Sequence, residues 1–201
     1  MLGPLFLTIK KYKLKIKLMK KLFLLTVVAV LGLSTVTAQE VKFGAKAGVN
    51  FANVSGDDIE GVDGRTSINI GAVVNIGISE KFAVQPELVY SAQGITSGDL
   101  TAKLDYINLP ILADFTVAQG FSLQAGPQIG FNINDKIDGD GEGDGGSFDA
   151  ESIDFGAALG AQYAMETGLF FQARYSLGLS EVVKDVDAKN SVFSISVGYF
   201  F

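Results

Sequence analysis

Two groups of ionisable residues have the types and spacing for chemistry. Lys42, Lys46, Glu87, Asp114, Asp154 and Arg174 fall on the polar side of alternating segments, with Lys46, Glu87 and Arg174 near segment middles. Farther along, eight carboxylates are packed into residues 135–154 against a single Lys136. Within that run Asp138, Asp140, Glu142, Gly143, Asp144 and Asp149 occupy positions 1, 3, 5, 6, 7 and 12 of a calcium-loop pattern. There, oxygen ligands alternate around a glycine that permits a sharp turn. The fit has defects, since position 12 is Asp rather than the usual bidentate Glu, position 8 is Gly145, and a strand pattern precedes it. Repeated glycine also raises the entropy cost of ordering the segment. Two readings follow: a flexible solvated cap that attracts divalent ions loosely near anionic lipid headgroups, or weak calcium binding at Asp138, Asp140, Glu142, Asp144 and Asp149, with no other cofactor.

The residue types that are absent narrow the field further. The 201 residues include no His, no Cys and no Trp. Thiolate nucleophiles, disulfides, imidazole metal sites and His-based triads are therefore excluded. The glycine-rich piece GDGEGDGG lacks the Lys-Ser/Thr of a phosphate loop and repels phosphate by charge. No enzyme is expected. From Gln39 onward the chain carries 9 basic and 22 acidic residues, a formal charge of −13, which disfavours a nucleic-acid partner.

The charges need elements to position them, and those elements begin after a targeting segment. From Met19 the sequence reads MKKLFLLTVVAVLGLSTVTAQ: a Lys20-Lys21 start, an apolar run over 22–33, then small residues at Val36-Thr37-Ala38. That layout is a secretory signal peptide, its core too short for the roughly twenty residues of a membrane-spanning helix. Residues 1–18 read as an upstream extension, so 1–38 are extension plus signal and 39–201 form one domain.

Within the domain the hydropathy alternates with period two in eight segments: 41–51, 67–78, 82–93, 103–115, 121–133, 153–163, 169–179 and 191–201. The last sets Phe193, Ile195, Val197, Tyr199 and Phe201 against Val192, Ser194, Ser196, Gly198 and Phe200. Strand geometry puts such alternate residues on opposite faces. In each segment one face is continuous, apolar and ring-rich. The other is mostly Gly, Ser, Asn and Gln with a few charges. A soluble barrel or sandwich would bury the large apolar side chains inside. The small polar face here suits the crowded interior of an eight-stranded cylinder, and the apolar face suits lipid. An open sheet edge in hydrocarbon leaves unpaired amides costing several kcal/mol each, so the last strand must pair with the first. Pro86, Pro110 and Pro127 each remove a donor, which implies bulges or lost ladder bonds.

Loop lengths sort by side. Residues 79–81, 116–120 and 164–168 are short connections, whereas 52–66, 94–102, 134–152 and 180–190 are longer. That alternation matches outer-membrane barrels, with periplasmic turns, external loops and both termini periplasmic. The fold class expected is all-β, an eight-stranded antiparallel up-and-down transmembrane β-barrel.

The stretches GAKAGVNFANVSG (44–56), FAVQPELVYSAQG (82–94), LDYINLPILADF (104–115), FSLQAGPQIGF (121–131), GLFFQARYSLGLSEV (168–182) and FSISVGYFF (193–201) carry a resemblance. The chain resembles the PorT-like, or outer membrane protein beta-barrel, domain family of Bacteroidetes across nearly all of 39–201. The resemblance implies an exported eight-stranded barrel in the outer membrane and no catalytic residues. It also links one alternative function, secretion or envelope assembly, to the family's named member. An aromatic last residue, Phe201, is a feature of barrels handled by the outer-membrane assembly machinery.

Three functions remain open at this level: a structural or surface-binding barrel with unknown ligand, a component of a secretion or assembly system, and a narrow transporter of small hydrophobic compounds. Expected partners are outer-membrane lipid, the assembly machinery and an envelope protein. For Lys46, Glu87 and Arg174 the expectation is a barrel-interior charge network that plugs the lumen, a proton-transfer site being the alternative. Buried charges must be paired or hydrogen-bonded in either case.

Overall fold

The computed structural model describes residues 40–56, 63–97, 100–139, 146, 150–182 and 188–201. The extension and signal segment lie outside them.

Among the described residues the alternating segments form eight strands: β1 (Val41–Ser55), β2 (Asp63–Ser79), β3 (Phe82–Ser97), β4 (Leu100–Ala118), β5 (Phe121–Gly139), β6 (Ile153–Ala164), β7 (Leu169–Gly178) and β8 (Lys189–Phe200). Each pairs antiparallel with its neighbours in sequence, and β1 pairs with β8 from Gly44↔Phe200 to Ser55↔Lys189. The sheet is thus a closed barrel with no free edge, as hydrocarbon requires.

Sidedness follows the polar-inside expectation. Phe43, Ile68, Leu88, Ile111, Leu159 and Ile195 point outward and are exposed, while Asn50, Asn69, Gln85, Gln124, Gln172 and Ser196 are buried. A water-soluble protein reverses this arrangement. The inward face is not uniformly polar. Val73, Phe170 and Phe200 pack together near the short-turn rim, with Phe170 and Phe200 ring centroids 4.5 Å apart. Leu104 and Tyr106 of β4 pack with Val182, from the connection after β7, at the opposite end. The interior is therefore layered, with apolar side chains at both ends and polar ones between.

The strands run farther toward the long-loop side than the hydropathy pattern predicts. Of residues 94–102, expected as a loop, 94–97 and 100–102 instead continue the hairpin through Gly94↔Lys103, Ile95↔Ala102, Thr96↔Thr101 and Ser97↔Leu100. Alternation marks only the stretch of wall that meets an apolar surroundings. Beyond that stretch the ladder continues without a hydropathy signal. The three short turns occupy the other rim. Gly120, with φ of 71°, supplies the left-handed backbone in the turn between β4 and β5.

The prolines interrupt hydrogen bonding without shifting register. Pairing between β3 and β4 stops after Pro86↔Ile111 and resumes at Val89↔Asn108 in the same register. Between β4 and β5 it lapses from Pro110↔Gln128 to Ala113↔Ala125, again unshifted. Lost ladder bonds, not bulges, accommodate them.

Candidate functional site

Glycines make room for the long charged side chains. Lys46 of β1 is flanked across the sheet by Gly71 of β2 and Gly198 of β8. Arg174 of β7 lies beside Gly160 of β6. Placing small residues next to large ones is how a narrow barrel fills its interior. The consequence at Gly198 is strict: a Cβ there would overlap the Phe170 ring.

With that room, side chains from β1, β3 and β7 meet in the lumen. Lys46 Nζ donates to Glu87 Oε2 at 2.7 Å and to Gln172 Oε1 at 2.7 Å. Arg174 grips the same carboxylate with two bonds, Nη1 to Oε2 at 2.6 Å and Nη2 to Oε1 at 2.7 Å. Gln85 Nε2 adds a bond to Oε1 at 2.8 Å. All three charged residues are at most 5% exposed. One carboxylate thus serves two cations, and the bidentate geometry is the strong form of the Arg–carboxylate bond.

Around this triad lies a belt of amides. Gln172 Nε2 donates to Gln124 Oε1 at 3.0 Å, and Asn75 Nδ2 donates to Gln85 Oε1 at 3.0 Å. Gln162 Oε1 accepts from Gln85, Gln124 and Gln172 at 3.3 Å each. The sequence shows these glutamines on inward positions, but neutral amides look like filler there. Their role is to satisfy the remaining lone pairs and protons of the triad, without which buried charges are costly.

The remaining inward charges go elsewhere. Asp114 accepts from Gln124 Nε2 at 2.6 Å and so touches the belt but neither cation. Asp154 accepts from Ser180 Oγ at 2.8 Å and Asn190 Nδ2 at 3.0 Å near the long-loop end. Lys42 lies at the short-turn rim, 3.4 Å from Glu40. Of the calcium-loop residues only Asp138 is described. Its carboxylate is paired with Lys103, whose ammonium holds it below the usual carboxylate range. Asp140, Glu142, Gly143, Asp144 and Asp149 lie outside the described residues.

Two spaces flank the triad and belt. A cavity of about 30 Å³ on the loop side is lined by Lys46, Asn50, Asn69, Gln93, Gln128 and Arg174, among others. On the turn side a vestibule of about 690 Å³ reaches up to Asp114, Gln162 and Phe200. The triad and belt separate them. Val182 covers the loop-side mouth, its N–H donating to Ala188 O at 2.7 Å while its carbonyl accepts from Glu151 N at 2.8 Å.

This cylinder has solved counterparts. The neisserial surface protein A, NspA, superposes with a TM-score of 0.60 at 16% identity, over 81% of this chain and 99% of that one. Ail, the attachment invasion locus protein of Yersinia pestis, gives 0.54 at 17% identity over 81% and 99%. A second Ail structure, in complex with the heparin analogue sucrose octasulfate, gives 0.52 at 15% identity over the same shares. At these identities the likeness is one of fold. No functionally curated protein matches the chain by sequence. The model of the outer membrane protein beta-barrel domain matches residues 37–184, and the chain belongs to that family.

Proposed function

We propose that the barrel is an anchor and that the protein works at its long-loop surface, binding a ligand or partner instead of conducting solutes. The observation that carries this reading is the filled lumen. The Lys46–Glu87–Arg174 triad and its glutamine belt stand between the 690 Å³ vestibule and a loop-side cavity of about 30 Å³. A structural role for the triad accounts for every contact it makes, without invoking proton transfer. In this reading the short turns and both termini face the periplasm and the long loops face outward, as in barrels of this type. The similarity to proteins named for attachment and for the cell surface supports the same placement. Planar-bilayer recording tests it directly. Flat traces are expected, and steady conductance at neutral pH would return the lumen to consideration.

Charge narrows the ligand. Residues 135–154 carry eight carboxylates against one lysine, so the third long loop repels polyanions of the kind seen bound to Ail. Cationic partners and divalent ions suit it better. The calcium reading of Asp138, Asp140, Glu142, Asp144 and Asp149 rests on spacing alone, and calorimetry at millimolar calcium on the folded protein tests it. A PorT-like place within the family is supported by the stretches at 44–56 and 104–115. A secretion role would bring down a stable envelope partner after mild crosslinking.

A further inference from the structure

Two cations line the cavity above the triad. Lys46 and Arg174 both line it, and both share the single carboxylate of Glu87. The other buried carboxylate of the belt, Asp114, lines the vestibule on the far side instead. Arg174 spends its two terminal nitrogens on Glu87 and Gln124, and its Nε–H, buried, has no acceptor among the described residues. Lys46 uses two of its three ammonium protons on Glu87 and Gln172.

The remaining lining is neutral, and its hydroxyl protons are engaged: Ser176 Oγ donates to Gln128 Oε1 at 3.4 Å and Ser194 Oγ to the Arg174 carbonyl at 3.5 Å. Asn108, Gln128, Ser176 and Ser194 border the space. Gln93 also borders it, and Gln93 Oε1 is buried without a partner while Nε2 donates to Ser91 Oγ at 3.1 Å. Turning that amide over lets Ser91 donate to Oε1 and aims the NH₂ group at the cavity. At about 30 Å³ the cavity holds one or two particles of water size. A water would satisfy the Arg174 Nε–H, whereas an anion would do so and also sit against both cations, which share the one carboxylate of Glu87.

We propose that this cavity is a binding site for one small monovalent anion of the halide class, held between Arg174 and Lys46. The ion is a structural counter-ion enclosed as the barrel closes, and the proposal stands apart from any role of the loops. A multi-carbon anion such as gluconate exceeds a space that admits one or two water-sized particles.

Refolding in chloride, bromide or the bulky gluconate, at equal ionic strength, tests it. The expected melting midpoint, read from the gel mobility of the folded barrel, is higher in either halide by about 5 °C. Crystals grown in bromide are expected to show an anomalous peak in contact with Arg174 and Lys46. Gln93→Glu places a carboxylate on the lining and is expected to abolish both effects while the barrel still folds. If Q93E does not fold, the wild-type comparison of bromide with gluconate decides alone. Waters in place of the anomalous peak would overturn the proposal, as would a peak without any difference in melting. Halide dependence that survives in folded Q93E would overturn it too.

Discussion

Replacing Glu87 by glutamine removes one atom's charge and little volume, which makes it the sharpest probe of the lumen. The wild-type carboxylate accepts four short bonds, from Lys46 at 2.7 Å, from Arg174 at 2.6 and 2.7 Å, and from Gln85 at 2.8 Å. Glutamine keeps a single acceptor oxygen and turns an NH₂ group toward a cation. Two buried positive charges then face each other with no counter-charge between them. Removing one partner of a buried pair costs about 3–5 kcal/mol, and here one removal strands two partners, so the upper part of that range is expected. The assay is urea unfolding of the refolded protein in detergent, followed by the mobility shift of the intact barrel. The companion variant Lys46→Met/Glu87→Leu/Arg174→Met replaces the whole triad with apolar groups of similar bulk. It is expected to lose less stability than E87Q, since no buried charge is left unpaired and the remaining cost is that of the bonds Gln85 and Gln172 make to the triad. A loss below about 1 kcal/mol for E87Q, the value of an exposed pair, would refute the reasoning that the triad is dry and mutually dependent.

Two further outcomes follow from the geometry. Gly198→Val is expected to destabilise the barrel by about 1–3 kcal/mol in the same assay, because its side chain must displace the Phe170 ring that fills the turn-side layer. At the long-loop rim, the Lys103 ammonium lowers the Asp138 pKa, so this pair stabilises the fold above the ordinary carboxylate range and loses that contribution as pH falls through the depressed value. Lys103→Met is expected to return Asp138 to the ordinary range, seen by following its side-chain carboxyl resonance against pH.

How much of this was legible in the sequence depends on what each residue has to contrast with. Phe193, Ile195, Val197 and Tyr199 contrast with Ser194, Ser196 and Gly198, so β8 and its outward face can be read directly. The same contrast fails at 94–97 and 100–102, where Gly94, Thr96, Ser97 and Thr101 interrupt the alternation, and the ladder there is invisible to hydropathy. Lys46, Glu87 and Arg174 can be placed mid-strand and inward by counting. That they meet depends on the stagger between β1, β3 and β7, which no single strand encodes. The four glutamines of the belt carry no charge to draw notice, and only the triad they surround gives them a role. Phe170 and Phe200 fall on the polar parity and break the pattern. Their packing against Val73 shows why, because the end of a narrow cylinder is closed more cheaply by rings than by unpaired polar groups.

The membrane location requires the apolar side of every strand to meet lipid, and the absence of tryptophan from the chain offers a direct measurement. A single Trp is introduced at Ile195, which is 52% exposed on the outer face, or at Phe170, which is fully buried within the barrel. Each variant is refolded into bilayers whose acyl chains carry bromine, a contact quencher. Strong quenching is expected for I195W and little for F170W. Equal quenching of the two, or quenching of F170W alone, would contradict the outward-facing apolar wall and the membrane location with it.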